Sequence, residues 1–349
     1  MGASFLLRPR AAARPASALA LAACLAAVAG GPRTISAADG VAGRGPAAVS
    51  FVESFRRDEA SPFVTAIGLR RVGPVEPTAS ARVVVLVDTS ASQLGDYRLR
   101  GRDAVEGLLE ASRPRDAVLL AAADVSCVPL SPGFAPPADA SHAAAIEKLS
   151  ARTPLGSTDL IEIIDRGIEL FGDQPAQAGS ARAIVYVGDG PGLGGVDPVE
   201  FQRVLEALRS RHIVFSGIGI GPQVNWPCLA AVASATGGML MVPGDDVAAR
   251  DAGARMAELA VTAVAWPEEV AISSAGPAVG LGMLPIRMPP LRADRDSVVL
   301  VLGPLESASI EMQLDTGAAA IVDPPLSLAL PDQECQEENA YLEELARNA

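Results

Sequence analysis

Residues 83–93 read VVVLVDTSASQ. Five aliphatic residues run without interruption and stop at Asp88, Thr89 and Ser90, with Ser92 close behind. A continuous apolar run of this length, ended by polar residues, is the pattern of a strand buried on both faces in a sheet covered by helices. One carboxylate and three hydroxyls at the mouth of such a strand suit three purposes: capping a helix, activating a nucleophile, or holding a hard cation.

Outward from this stretch, apolar runs alternate with helical patterns. The spacing of Leu99, Val105, Leu108 and Leu109 predicts a helix over 98–111, and 117–123 reads as a second strand. Helices follow over 140–149, 160–171, 198–210 and 228–235, with strands at 183–187, 213–220 and 239–242. Such alternation predicts an α/β domain over 80–245, built on a doubly wound, mostly parallel sheet. A connecting helix is expected within 246–265. Short Val-rich runs at 270–272, 298–302, 309–314 and 320–322, spaced by Gly and Pro, predict a β-rich module over 266–349. Residues 30–79 read as a linker with one or two short strands. The final EENAYLEELARNA opens an amphipathic helix without a glycine cap, which fits either a terminal helix or a module that is incomplete.

The N-terminus has the form of a targeting segment. MGASFLLRPRAAARPAS carries Arg8, Arg10 and Arg14 and no acid, the apolar ALALAACLAAVA follows, and Ala27-Val28-Ala29 fits a small-x-small cleavage site. A signal peptide over 1–29, and a secreted, periplasmic or cell-surface protein, are therefore expected. Leu21-Ala22-Ala23-Cys24 offers lipoprotein anchoring at Cys24 as the alternative. Removing three arginines and no acids takes the formal charge from −13 to −16. Lys148 is the only lysine. A chain this acidic, with no basic stripe, does not suit nucleic acid or an anionic membrane surface, and no membrane span is expected in the mature chain. Cys127, Cys228 and Cys335 are widely spaced and odd in number, which predicts buried free thiols rather than a disulfide framework.

In an open α/β sheet, ligands bind beyond the carboxyl ends of the strands. Three loops there carry oxygen donors: Asp88, Ser90 and Ser92 after the first strand, Thr158 in Pro154-Leu155-Gly156-Ser157-Thr158-Asp159, and Asp189 after strand 183–187. An all-oxygen set without His or Cys suits a small hard cation. Each residue also has a local alternative: Ser92 and Thr158 as helix N-caps, Asp189 as a turn residue.

The order Asp-x-Ser-x-Ser, then Thr in a Gly-containing loop, then Asp after a later strand resembles the metal-ion-dependent adhesion site of the von Willebrand factor A domain family. The resemblance covers roughly residues 80–245. It implies a complete site binding Mg²⁺, with Mn²⁺ or Ca²⁺ as alternatives. Ser90 and Ser92 would be direct ligands, and Thr158 a direct ligand when a partner is engaged. Asp88 and Asp189 would act mainly through coordinated waters. The implied partner is a protein or peptide with an exposed Asp or Glu. The family often has Thr or Ser before the last Asp, where this chain has Gly188.

Enzymatic readings fit less well. Gly190-Pro191-Gly192-Leu193-Gly194-Gly195 satisfies a dinucleotide fingerprint, but no acid ends the following strand and Asp189 would repel a pyrophosphate. A serine hydrolase needs a base, and the two histidines are placed away from Ser90 and Ser92: His212 at the opposite sheet edge, His142 at an exposed helix start. The expectation is an exported, cation-dependent adhesion protein without catalysis, or a structural envelope protein with a permanently occupied metal site.

Overall fold

The computed structural model describes residues 46–348 except 59–60, 62, 74, 76, 174–178, 193–194, 245–247, 275–281, 304, 306, 316–325 and 331–334. The expected signal peptide over 1–29 with Cys24, and the expected strand at 320–322, lie outside the described residues.

Strand β3 (Ser80–Asp88) contains the opening stretch and lies at the centre of a six-stranded sheet. Its neighbours are β4 (Ala117–Ala123) and β6 (Ser180–Gly188), both parallel to it. Parallel β7 (Ile213–Gly219) and β8 (Leu240–Met241) extend the sheet beyond β6, and short antiparallel β5 (Cys127–Pro129) closes the edge beside β4. The aliphatic run serves both faces in alternation. Val83, Val85 and Val87 join one core cluster, while Val84 and Leu86 join the other. The first face is covered by α1 (Asp96–Ala111), α2 (Ala140–Ala151) and α6 (Ala249–Ala260). The second is covered by α3 (Leu160–Glu169), α4 (Pro198–Ser210) and α5 (Trp226–Ala235). This is the doubly wound α/β architecture that the alternation predicts.

Helices α1 and α6 cross at glycines. A Cβ on Gly107 would stand 2.0 Å from the Arg250 carbonyl oxygen, and one on Gly253 would stand 1.9 Å from that of Ala104. The two backbones are therefore in direct contact, which larger residues would prevent.

The β module differs from the expected plan. Strands β1 (Ala47–Phe55) and β2 (Val64–Arg71) do not belong to a linker region apart from the C-terminal strands. β2 pairs antiparallel with β11 (Ser297–Leu302), and β10 (Gly282–Leu284) completes a sheet in the order β1-β2-β11-β10. A second sheet, in the order β13-β12-β9, comprises β9 (Trp266–Ser273), β12 (Ser309–Asp315) and β13 (Leu326–Ala329). Both sheets contribute to one core: Ile67, Leu69, Val299 and Val301 from the first, Ile310 and Leu314 from the second. Terminal helix α7 (Tyr341–Asn348) packs Leu342 and Leu345 with Val64, Ala66 and Leu300.

The α/β domain is thus an insertion between β2 and β9. Its entering and leaving segments run side by side, because Thr78 donates from its backbone N to Val261 O at 2.9 Å and Pro77 bridges Thr262. Fully buried Arg292 ties the two parts together. Its guanidinium pairs with Asp294 and donates to Gly237 O at 3.1 Å, while its carbonyl accepts from Arg71 N at 3.0 Å.

Among the described residues the three cysteines are free, but only Cys228 is buried. Cys127 is half-buried and Cys335, which forms a parallel bridge to Ser54 of β1, is exposed. Burial pushes the Cys228 thiol up to about 12 and that of Cys127 up to about 11.

Candidate metal centre

The parallel register brings the ends of β3 and β6 together, since Val87 stands opposite Val187. Asp88 and Asp189 therefore emerge side by side, both nearly buried. The Thr158 loop is drawn in by backbone hydrogen bonds. Leu155 N donates to Thr89 O, Ala91 N to Gly156 O, and Asp159 N to Asp124 O, at 3.0–3.1 Å. Gly156 turns this loop at φ 76°, a conformation that a side chain disfavours.

All five expected residues meet in one hydrogen-bonded array. Thr158 Oγ1 donates to Asp88 Oδ2 at 2.9 Å, while Asp88 Oδ1 accepts from Ser90 N at 2.8 Å. The Ser90 and Ser92 hydroxyls are 2.9 Å apart, and Ser92 Oγ donates to Asp189 Oδ1 at 2.9 Å. The local alternatives are not what these side chains do. Helix α3 is capped by Asp159, which accepts from Glu162 N, so the Thr158 hydroxyl is not its cap. Helix α1 starts after Gly95 with no side-chain cap, and the short 3₁₀ turn at Ala91–Gln93 has none either.

Two further residues complete the array. Gln93 is buried and its Nε2 donates both to Asp189 Oδ1 and to Ile220 O, each at 3.0 Å. Tyr186 is fully buried; its hydroxyl donates to Asp88 Oδ2 and accepts from Gly190 N at 3.0 Å. Tyr186 also explains Gly188. A Cβ at 188 would stand 2.6 Å from the Tyr186 hydroxyl and 2.3 Å from Asp88 Cβ, so a phenol reaching up from two residues earlier fills the space of a residue-188 side chain. Gly221 does the same on the other flank, where a Cβ would fall 2.4 Å from that of Asp189.

Electrostatics follow from this burial. Desolvation raises the Asp189 carboxyl above the usual carboxylate range; the Ser92 hydrogen bond pulls it back, and the charge of Asp88 pushes it up further. Desolvation, followed by the negative charge of Asp88, holds the Tyr186 phenol well above its ordinary value, so it stays a donor. Two carboxylates share a nearly dry site with no cationic side chain hydrogen-bonded to either among the described residues. Arg152, which shares a pocket with Asp88, is instead paired with Asp124 at 2.8 Å. There burial works against ionisation, yet the Arg152, Ser126 and Thr89 hydrogen bonds outweigh it and hold the Asp124 carboxyl low.

Neither histidine serves these hydroxyls. His142 is buried rather than exposed, because Nε2 turns inward to Pro136 O at 3.1 Å. His212 precedes β7, at the opposite end of the sheet. The glycine-rich run after Asp189 leads to α4, whose first amides at Val199 and Glu200 are already taken by the Asp197 carboxylate, so a negative group stands where a pyrophosphate would bind. Leu193 and Gly194 of that run lie outside the described residues.

A model of the von Willebrand factor type A domain matches residues 81–242. Those residues are a von Willebrand factor type A domain. Among solved structures, a von Willebrand factor type A protein from Catenulispora acidiphila is similar at 13% identity and a TM-score of 0.58, covering 86% of this chain and 78% of that one. The ArnB paralog VWA2 from Sulfolobus acidocaldarius is similar at 14% identity and a TM-score of 0.49, covering 86% and 81%. The PilB minor pilin from Streptococcus sanguinis is similar at 12% identity and a TM-score of 0.40, covering 59% and 77%. No curated protein matches the chain significantly. The first likeness reaches well beyond the type A domain, so the β module is part of the shared fold. No helix among the described residues is long and apolar enough to cross a membrane.

Proposed function

We propose that the chain is an exported binding protein that engages an acidic group of a protein ligand through a divalent cation held at the Asp88 site, and that it catalyses no reaction. Type A domains commonly mediate protein–protein contact, and the observation that carries the finer reading is the oxygen array itself. The links from Thr158 to Asp88, from Ser90 to Ser92 and from Ser92 to Asp189 are each 2.9 Å. Neighbouring ligands around an octahedral Mg²⁺ at 2.0–2.1 Å lie about 2.9 Å apart, so the Ser90 and Ser92 hydroxyls are spaced to hold Mg²⁺ or Mn²⁺ directly, with Asp88 and Asp189 beside them to anchor its waters. A cation there would neutralise two buried carboxylates and supply a coordination position for a carboxylate of the partner.

The chain's own residues set how the site behaves. Ser90 and Ser92 offer neutral oxygens, Thr158 offers a third, and Tyr186 and Gln93 hold Asp88 and Asp189 in place. The N-terminal residues 1–29 support export, with the envelope or cell surface as destination.

Calorimetry tests the reading. One Mg²⁺ per chain should bind, displaced by EDTA, and Asp88→Ala should weaken this by roughly 10–100-fold or more. Thr158→Ala should weaken metal less but abolish capture of an acidic partner. Unchanged metal and partner binding in both variants would sink the proposal.

A further inference from the structure

A second group of metal-ligating side chains lies at the amino-terminal edge of the central sheet, opposite the Asp88 site. His212 stands in the turn between α4 and β7 with φ 49°. Its ring stacks on Trp266, the first residue of β9, with centroids 4.9 Å apart and planes within 12°. Glu268 is two residues further along the same strand and so shares a face with Trp266. The β9–β12 register sets Asp315 directly opposite Trp266. Three elements thus converge. His212 Nε2 is 3.9 Å from Glu268 Oε1, His212 Nδ1 is 3.7 Å from Asp315 Oδ2, and one ligand atom of each residue lies within 4.8 Å of the others.

These separations are longer than hydrogen bonds, so the imidazole is flanked by both carboxylates without being bonded to either. His212 and Glu268, though not Asp315, line a cavity of ≈ 570 Å³ together with Trp266, Arg209 and Met288 among others. Arg209 does not neutralise Glu268 by a direct bond, because its guanidinium donates to Ala235 O at 2.7 Å and Met288 O at 3.1 Å.

We propose that His212, Glu268 and Asp315 form a second cation site, selective for a transition ion of the Zn²⁺ type. One imidazole nitrogen and two carboxylate oxygens suit such an ion, whereas the all-oxygen Asp88 site suits Mg²⁺. One ion takes one nitrogen of the imidazole, so ligand atoms that now lie within 4.8 Å of one another must close to the spacing of about 3.3 Å between tetrahedral ligands at about 2.0–2.1 Å, which side-chain rotations moving them by about 1–1.5 Å achieve. The consequence is mechanical. His212 belongs to the type A domain, Glu268 and Asp315 to the β module, so the ion clamps the junction between them.

The full chain carrying Trp226→Phe leaves Trp266 as the sole tryptophan, a reporter next to the site. With Mg²⁺ saturating, one equivalent of Zn²⁺ should bind and raise Tm, and one equivalent of Ni²⁺ should quench the tryptophan. Both responses should vanish in His212→Gln and in the double variant Glu268→Gln/Asp315→Asn, and persist in Asp88→Ala. If His212→Gln does not fold, the double variant, which keeps the stacked ring, decides. Failure of the parent chain to bind Zn²⁺ overturns the proposal, as does quenching that survives in a folded His212→Gln or double variant. Either result would leave the trio as a side-chain cluster that holds no cation.

Discussion

Tyr186 joins two partners through one hydroxyl: the Asp88 carboxylate oxygen that Thr158 also reaches, and the Gly190 amide. Replacing it with Phe removes the donor to Asp88 and orphans the Gly190 amide, a loss of roughly 1–3 kcal/mol in chemical denaturation of the metal-free chain. Gly188 should be coupled to it: Gly188→Thr should be poorly tolerated beside Tyr186, and a cycle with Tyr186→Val should return part of the loss, though the Asp88 Cβ contact remains. Asp189 allows a pH test. Its folded-state carboxyl is raised, so without metal the folded state gains from its protonation at acid pH and loses that gain as pH rises through the raised value. Asp189→Asn should therefore raise Tm of the EDTA-treated chain at neutral pH, and the difference from the parent should shrink toward pH 4. A Tm gap independent of pH would contradict this. Asp88, Ser90, Ser92 and Asp189 were legible in sequence because they follow aliphatic runs that mark strand ends, whereas Thr158, in a loop between two helices, was picked out by the glycine-containing loop of the family resemblance. Tyr186 and Gln93 were not legible. Tyr186 looks like one more core residue of an alternating strand, and its partner Asp88 is 98 positions away.

At the scale of elements, the α1–α6 crossing is a tightly constrained contact of the type A domain. Gly107→Ala or Gly253→Ala puts a methyl into a facing carbonyl rather than into a side chain that could rotate away. The helices must separate, and overpacking of this kind costs roughly 1–3 kcal/mol, measurable as a lower denaturation midpoint with an unchanged slope. The Asp88–Asp189 array should be little affected, because both residues are set by strands rather than by this helix pair. Helix α1 itself was readable from Leu99, Val105, Leu108 and Leu109, and the structure extends it back to Asp96. Its partner α6 falls within the expected 246–265, although the alanine-rich start at Ala249 has little apolar periodicity to mark its first residue. His142 was misjudged because its inward turn depends on the carbonyl of Pro136 in the preceding loop.

For the whole molecule, Arg292 is the residue on which the two parts depend together. Truncation to Met would leave Asp294 unpaired beside the buried Gly237 and Leu259 carbonyls, a change costing about 3–5 kcal/mol. The expected signature is two thermal transitions in place of one, as the type A domain and the β module uncouple. The pairing that makes this architecture was not visible in sequence. Alternation within β2 and within β11 marks each as a strand, but nothing in either segment says that Leu69 will face Ser297.

That pairing also imposes an order of events on a chain leaving the ribosome. β1 and β2 are made first, yet their sheet partner β11 follows the entire type A domain. The inserted domain holds all six of its strands within one continuous segment and can close its sheet as soon as it emerges. The outer module must wait with an open edge and an uncovered apolar face for some 200 residues of synthesis, and such an edge invites pairing with another chain. The first segment made is therefore among the last to be secured, and the period of greatest exposure to aggregation falls before β11 arrives.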